Sequence, residues 1–485
     1  MRRQLSEVVC RDVPQDRMIT GITADSRKVA DGYLFAALPG VSVDGRKFAP
    51  EAVKAGAAAV LAQEDMPDLG VPVIVAEDPR RAFALAAARF WEHQPATTVA
   101  VTGTNGKTSV AAFCRQIFNA AGHRAASIGT LGVRATGPDG FDAQLTPPGL
   151  TTPDASDMAE LMARLAGLQV THLALEASSH GVDQRRLDGV TLKAAGFLNL
   201  TQDHLDYHVT MEAYRAAKLR LFETLLPAGG TAVLNADSDS FSAFAAAATV
   251  SGHTLMTVGE AGQSLRMAAR SMTPSGQRLS LEVDGRTFQV NLPLAGGFQA
   301  SNALVAAGLC LAAGEGIDTV LGALERLEGA PGRLQRVGAR AGGGEAYVDY
   351  AHTPDGLETV LQALRPHASG KLVVVFGAGG DRDRSKRPLM GAIAARLADL
   401  AIVTDDNPRS EVPAAIRADI MAGNVGLREV GDRRDAIRAG VAALGPGDIL
   451  IVAGKGHETG MTIASVVHPF DDVAETVLAL EGAHD

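Results

Sequence analysis

The chain has 485 residues, 46% of them hydrophobic, and a formal charge of −10. Such a length and apolar content predict about three domains, each with its own core, and the acidic balance excludes a nucleic-acid-binding surface as the main function. Cys10, Cys114 and Cys310 lie far apart with no C-x-x-C pair, which excludes a disulfide framework and a thiolate zinc site and fits a reducing cytosol.

Residues 1–96 form the first predicted domain, with short strands near Ile19–Ile22, Tyr33–Leu38, Ala58–Leu61 and Val73–Val75. A helix pattern from Pro79 to Glu92 stops before Pro95, because proline disfavours helix at the residue it follows. The basic start, Met1-Arg2-Arg3, is not followed by an apolar run of signal-peptide length. No window reaches the roughly 18 apolar residues of a membrane span. A cytoplasmic protein without membrane insertion, and a monomer, is expected.

The second predicted domain, 97–332, changes to an α/β rhythm. Thr98–Thr102 runs into Gly103-Thr104-Asn105-Gly106-Lys107-Thr108-Ser109, and an amphipathic helix follows over Val110–Ala121. His172–Leu175 runs into Glu176, Ala195–Leu198 into Asn199, and Thr231–Leu234 into Asn235. Nearly continuous apolar strands alternating with helices predict a parallel sheet covered on both faces. Ligands of such sheets bind beyond the carboxyl ends of the strands, where these polar residues fall.

The third predicted domain, 333–485, follows the Gly329-Ala330-Pro331-Gly332 linker and repeats the pattern. Lys371–Phe376 leads into Gly377–Arg382, Leu400–Thr404 into Asp405–Arg409, and Ile449–Ala453 into Gly454–Glu458.

The loop Gly103–Ser109 has the chemistry of a phosphate cradle. Backbone N–H groups of a glycine turn before a helix bind phosphate oxygens, Lys107 reaches the outer phosphates of ATP, and the Thr108 hydroxyl is a magnesium ligand. The first glycine of the usual G-x-x-x-x-G-K-[ST] pattern is replaced by Val101. Glu176, with Ser178-Ser179-His180 after it, is a second candidate magnesium ligand, although Glu-x-Ser-Ser is also helix-capping chemistry. His204 in Asn199–His208 is a third candidate. Lys218, inside a helix predicted over Met211–Leu226, reads on spacing alone as a solvated surface lysine.

Gly-Thr-Asn-Gly-Lys-Thr resembles the loop of the Mur ligases and folylpolyglutamate synthetases, which make amide bonds by first phosphorylating a carboxylate. That resemblance implies the following. The fold is three α/β domains: a UDP-binding domain, a P-loop ATPase domain and a Rossmann-like domain. Magnesium sits on Thr108, Glu176, His204 and Lys218, the last carbamylated so that a cation becomes a carboxylate-like ligand. Asn302 in Gly296–Asn302, Arg333 after Pro331-Gly332, and Asp349 and His352 in Asp349–Pro354 lie on the nucleotide side; Gln299 stands where the family has asparagine.

Ser26, in Asp25-Ser26-Arg27, resembles the UDP contact of members that add the third and later residues of the peptidoglycan peptide. Thr151, Thr152, Ser178, Gln184 and Arg186 match muramoyl-peptide contacts, with Leu150 where an asparagine often stands. Asp406-Asn407-Pro408-Arg409 marks the members that add meso-diaminopimelate. An arginine on a rigid Asn-Pro turn offers a bidentate fork for the second carboxylate of that amino acid, which lysine lacks. Arg382, Gly454 and Glu458 match its remaining contacts. The implied substrates are ATP, UDP-MurNAc-L-Ala-D-Glu and meso-2,6-diaminopimelate, the implied activity that of an acid–amino acid ligase, with His180 a candidate acceptor of the amine proton. Closure over the site is expected, because an acyl phosphate is vulnerable to water. The alternatives are a lysine-adding or folylpolyglutamate-type ligase and, from another class, a P-loop NTPase switch.

Overall fold

The computed structural model describes every residue except 41–43, 65, 147–148, 274–275 and 483–485. It divides into two compact units, Met1–Arg266 with Leu304–Val320, and Met267–Ala303 with Leu321–Asp485.

The first unit opens with a four-stranded parallel sheet in chain order: Gly21–Thr23, Tyr33–Ala36, Ala59–Ala62 and Val73–Val75. The strand expected over Ile19–Ile22 is interrupted at Thr20; Met18–Ile19 pairs instead with Arg3–Gln4. Helix Pro79–Trp91 buries Phe83 and Phe90 among the apolar residues of this sheet. Its start is fixed by the Asp78 carboxylate accepting from the Arg81 N–H and by proline at its first position.

A larger sheet follows, in the spatial order Asp142–Thr146, Gly132–Thr136, Ala125–Gly129, His172–Glu176, Thr97–Thr102, Ala194–Phe197, Thr231–Asn235 and Thr254–Gly259. The last six run parallel, as their continuous apolar runs require. The first two form an antiparallel edge; Gly132–Thr136 alternates half-buried and buried residues and Asp142–Thr146 buries none, a pattern the apolar-run reading misses. Leu173, Leu175, Ala100, Phe197 and Leu234 fill the core. Strand pairing sets Glu176 opposite Val101 and Phe197 opposite Thr102, so the polar residues that follow emerge side by side.

The second unit contains a long antiparallel hairpin, Gly276–Val283 with Arg286–Leu292, and a six-stranded sheet. Its order is Gln335–Ala339, Glu345–Asp349, Ile449–Ala453, Leu372–Phe376, Leu400–Val403, Leu427–Glu429, with only the first pair antiparallel. Asp349, Ala453, Phe376 and Val403 stand level with one another at the carboxyl ends. Four loops therefore leave one edge of the sheet together.

Behind two of these loops lies a fully buried ion pair. Arg433 donates to both oxygens of Asp472, 2.7 Å each, and also to the carbonyls of Asp405 (3.1 Å) and Ala453 (3.0 Å). Its four contacts satisfy the guanidinium and tie the chain just before Asp406 to the chain just before Gly454. Removing one partner of such a pair leaves an uncompensated buried charge, at a cost of about 3–5 kcal/mol. Arg433→Ala is expected to lose stability in that range in urea titrations; a loss typical of a surface substitution would show that the pair does not hold the sheet edge.

Candidate active site

The strand Thr97–Thr102 delivers the loop, and helix Lys107–Ala120 carries it away. The helix begins three residues earlier than the amphipathic pattern suggests. Gly106, at φ +90°, turns the chain into it, a conformation costly for any residue with a Cβ. Three interactions hold the loop. Asn199 accepts from the Asn105 N–H at 2.9 Å and returns its amide to the Asn105 carbonyl at 3.2 Å. The Thr104 hydroxyl is buried between the Thr201 backbone and the Tyr214 hydroxyl. Lys107 Nζ folds back onto the carbonyls of Gly103 and Thr104, 2.8 Å each.

Lys218 corrects the solvated-surface reading. It is only 1% exposed, its Nζ donates to the Gly103 carbonyl at 2.8 Å, and it lies 4.5 Å from the centre of the Tyr214 ring. Burial, and then the charge of Lys107, push its amine well below the ordinary lysine range. The α-helix around it, Met211–Arg220, gives way to a π-turn over Leu221–Leu225, short of the predicted end at Leu226.

Glu176 is the hub of the second layer. It accepts from the Thr108 hydroxyl (3.1 Å), the Thr130 N–H (2.9 Å) and the Thr130 hydroxyl (3.4 Å). A Cβ at position 129 would overlap its carboxylate, so Gly129 is a requirement of close approach. Thr130 also meets the Thr151 hydroxyl at 3.0 Å. Thr152 donates to the Glu176 carbonyl and shares a hydrogen bond with Ser178, both at 2.9 Å. Arg186 donates to the Thr152 carbonyl and to Gln184, 2.7 Å each. The five residues Thr151, Thr152, Ser178, Gln184 and Arg186 are thus one connected network ending on Glu176. A cavity of about 370 Å³, lined by Gly129, Leu150, Pro153, Asp154 and Arg164, opens beside it.

His204 caps the short helix Leu205–His208 in a left-handed conformation, φ +52°, uncommon for histidine outside functional or turn positions. Its ring is half exposed, edge-on to His180 at 4.9 Å. Burial, then the charges of His204 and His208, lower the His180 pKa. Ser26 opens a one-turn helix capped by Asp25, whose carboxyl Arg27 holds at about 2 by direct hydrogen bonds.

The remaining predicted residues belong to the second unit and form two groups there. In one, Arg333 stacks over the Tyr350 ring at 4.7 Å, and His352 meets the same ring at 4.6 Å. Asp349 accepts from the N–H groups of Leu334 (2.6 Å) and Ala351 (2.7 Å), while burial pushes its carboxyl up. Asn302 donates to Gln299, whose amide donates to the Arg333 carbonyl. Gln299 is fully buried, and its longer side chain is what reaches that carbonyl.

In the other group, the Asn407 side chain accepts from Lys455 Nζ (3.3 Å) and the Thr462 N–H (2.8 Å) and donates to Glu458 (2.9 Å). Arg409, at φ +52°, lends one guanidinium nitrogen to the Gly380 carbonyl at 2.7 Å. Asp406 lies against Gly454, where φ is +124° and a Cβ would meet the carboxylate. Arg382 is exposed on the neighbouring loop and donates to the Asp381 carbonyl. Sequence reading assigned no role to four residues that hold these sites: Asn199, Thr130, Tyr214 and Lys455. For Asn199 and Lys455 the signal was a strand-end position; Thr130 and Tyr214 carried none.

Comparison with known proteins matches residues 18–91 to "Mur ligase family, catalytic domain", 101–310 to "Mur ligase middle domain" and 332–456 to "Mur ligase, glutamate ligase domain". A UDP-N-acetylmuramoyl-L-alanyl-D-glutamate–2,6-diaminopimelate ligase of Caulobacter vibrioides is 68% identical, covering 99% of each chain. One of Brucella melitensis is 52% identical over 95% of this chain and 94% of its own. A solved structure of an enzyme so named is 34% identical with a TM-score of 0.77, each chain covered completely. The MurF ligase of Thermotoga maritima in complex with ADP shares the fold: TM-score 0.61, 18% identity, 95% of this chain and 97% of that one.

The buried amine of Lys218 has a measurable consequence. In the folded chain it releases its proton below 10.5, whereas the unfolded chain holds it up to that value. The unfolded state therefore binds more protons between the lowered value and 10.5, and stability rises with pH across that window. In bicarbonate-free buffer Lys218→Met is expected to remove this rise. Equal pH slopes for the two proteins in denaturant titrations would contradict a neutral buried amine.

Proposed function

The chain belongs to the Mur ligase family, and we propose that it joins meso-2,6-diaminopimelate to the D-glutamyl γ-carboxylate of UDP-MurNAc-L-Ala-D-Glu at the expense of ATP. The observation that carries the choice of amino acid is the Asn407 hub. It ties Glu458 and Lys455 to the same turn that presents Arg409, so a carboxylate fork and an ammonium partner are fixed together. A lysine-adding enzyme has no use for the fork.

Thr108 and Glu176 supply hard oxygen donors 3.1 Å apart at the mouth of the phosphate loop, the chemistry magnesium prefers. With His204 and carbamylated Lys218 they are the residues that would hold it, and the ion would neutralise charge on the transferring phosphoryl group. The neutral, buried Lys218 amine is the form that adds carbon dioxide.

Lys107 and the loop N–H groups bind the ATP phosphates and stabilise charge as the D-glutamyl carboxylate attacks the γ-phosphorus and the bond to ADP breaks, giving an acyl phosphate and ADP; most of the catalysis in such transfers is positioning and electrostatics. Thr151, Thr152, Ser178, Gln184 and Arg186 orient the muramoyl dipeptide, and Ser26 its UDP end. Asn302, Arg333, Asp349 and His352 serve the nucleotide side. Asp406, Asn407, Pro408, Arg409, Gly454, Glu458 and Arg382 hold diaminopimelate so that its amine attacks the acyl phosphate. Phosphate leaves, and His180, kept neutral by burial, takes the amine proton.

Purified protein is expected to release phosphate from ATP only with both the muramoyl dipeptide and diaminopimelate present. Arg409→Ala should raise the KM for diaminopimelate at least about tenfold, the loss of one charge-assisted contact, with little change for ATP. ATP turnover indifferent to the two substrates, or equal use of lysine, would refute the reading.

A further inference from the structure

At the amino end of the large sheet in the first unit, opposite the loops described above, three side chains converge that the reaction does not use. His123 follows the helix that starts at Lys107, His172 is the first residue of the strand ending in Glu176, and Glu315 follows the helix Gly297–Ala313. The two imidazoles stack with ring centres 3.8 Å apart. Both present Nε2 to the same carboxylate oxygen: His123 at 3.0 Å and His172 at 3.5 Å from Glu315 Oε1. Among the described residues this is the one such group of three or more histidine, cysteine and acidic side chains, its ligand atoms all within 4.8 Å.

The hydrogen bonding around His172 favours an electron-pair acceptor between these atoms. The Thr171 hydroxyl lies 3.4 Å from the Arg124 carbonyl and 2.9 Å from His172 Nδ1; in the tautomer with the ring proton on Nδ1, that hydroxyl accepts it. Nε2 is then a lone pair facing a carboxylate oxygen. An outer hydrogen bond of this kind on the second ring nitrogen is what orients a metal-ligating histidine. Tetrahedral bonds of about 2.0–2.1 Å set ligand atoms about 3.3 Å apart, between the two histidine-to-carboxylate distances observed; the stacked rings have to part for both lone pairs to meet one ion, and His123 is the more exposed of the two. His123 and Glu315 keep partial exposure, 34% and 12%, which leaves an approach from solvent and room for a water as fourth ligand.

We propose that His123, His172 and Glu315 form a binding site for a divalent transition metal of the Zn2+ type, separate from the nucleotide site. Two imidazoles and one carboxylate select such an ion over magnesium or calcium. Its structural effect is a clamp on the far ends of two elements, the helix that begins with Lys107 and the strand that ends with Glu176.

The test uses the full chain, treated with chelator and titrated with Zn2+ alone in magnesium-free buffer by calorimetry, with metal content checked after dialysis. One equivalent is expected to bind, to raise the melting temperature, and to be replaceable by Co2+ with the visible absorption of a low-coordinate imidazole site. His123→Ala, at the exposed ligand, and Glu315→Gln should each weaken binding by at least about tenfold, and His204→Ala should leave it unchanged. Absence of Zn2+ uptake, uptake equal in wild type and His123→Ala, or uptake lost in His204→Ala would each overturn the proposal; the last would move the ion to the nucleotide site.

Discussion

The carbonyl oxygen of Gly103 accepts from two lysines, Lys107 and Lys218, at 2.8 Å each. Two ammonium groups cannot share one neutral acceptor in a buried site without strong repulsion. Burial weighs against the charge of Lys218, which is almost fully enclosed and whose amine is pushed well below the ordinary lysine range, while Lys107 stays at the loop mouth. When Lys107 releases the loop carbonyls for phosphate, the backbone turn remains anchored by the Asn199 clamp and by the buried Thr104 hydroxyl. The loop is therefore held by groups that do not have to move when its ligand arrives, the condition for a preorganised electrostatic site.

The same device recurs at the carboxyl ends of the sheet in the second unit. There an amide side chain, Asn407, does the holding. Its oxygen takes two donors and its nitrogen one acceptor, which fixes Lys455, Glu458 and the turn bearing Arg409 in a single network. Arg433 fastens the backbone just behind it. Both sites follow one rule: level strand ends bring loops together, and a buried polar side chain locks them. Asn407 is largely buried, and a hydrogen bond made in such a low-dielectric surrounding is stronger than one in water.

Much of this was legible in the sequence. Apolar runs of strand length ending in polar residues located the parallel strands, and Ile449–Ala453 and Val73–Val75 fall where they were expected. The phosphate loop and the Asp-Asn-Pro-Arg turn announced themselves because glycine and proline restrict the backbone locally. What escaped depended on tertiary packing. The antiparallel strands Gly132–Thr136 and Asp142–Thr146 carry a half-polar alternation with little apolar signal. Lys218 has the spacing of a surface lysine; the family resemblance alone singled it out, and its burial beneath the loop depends on tertiary packing. Thr130 lies just past a strand and is one threonine among many until its hydroxyl is found between Glu176 and Thr151.

Gln299 shows how a departure from a family pattern is absorbed. The shorter asparagine expected there would leave two buried groups without their partner: the Arg333 carbonyl and the Asn302 amide. An unsatisfied buried polar group costs about 1–3 kcal/mol. The extra methylene of glutamine spans that gap and places the chain at Arg333, so the guanidinium lies over Tyr350 without itself being pinned by an acid. Gln299, at a position where the resemblance implies asparagine, is in this chain a fixed strut for its neighbour Arg333.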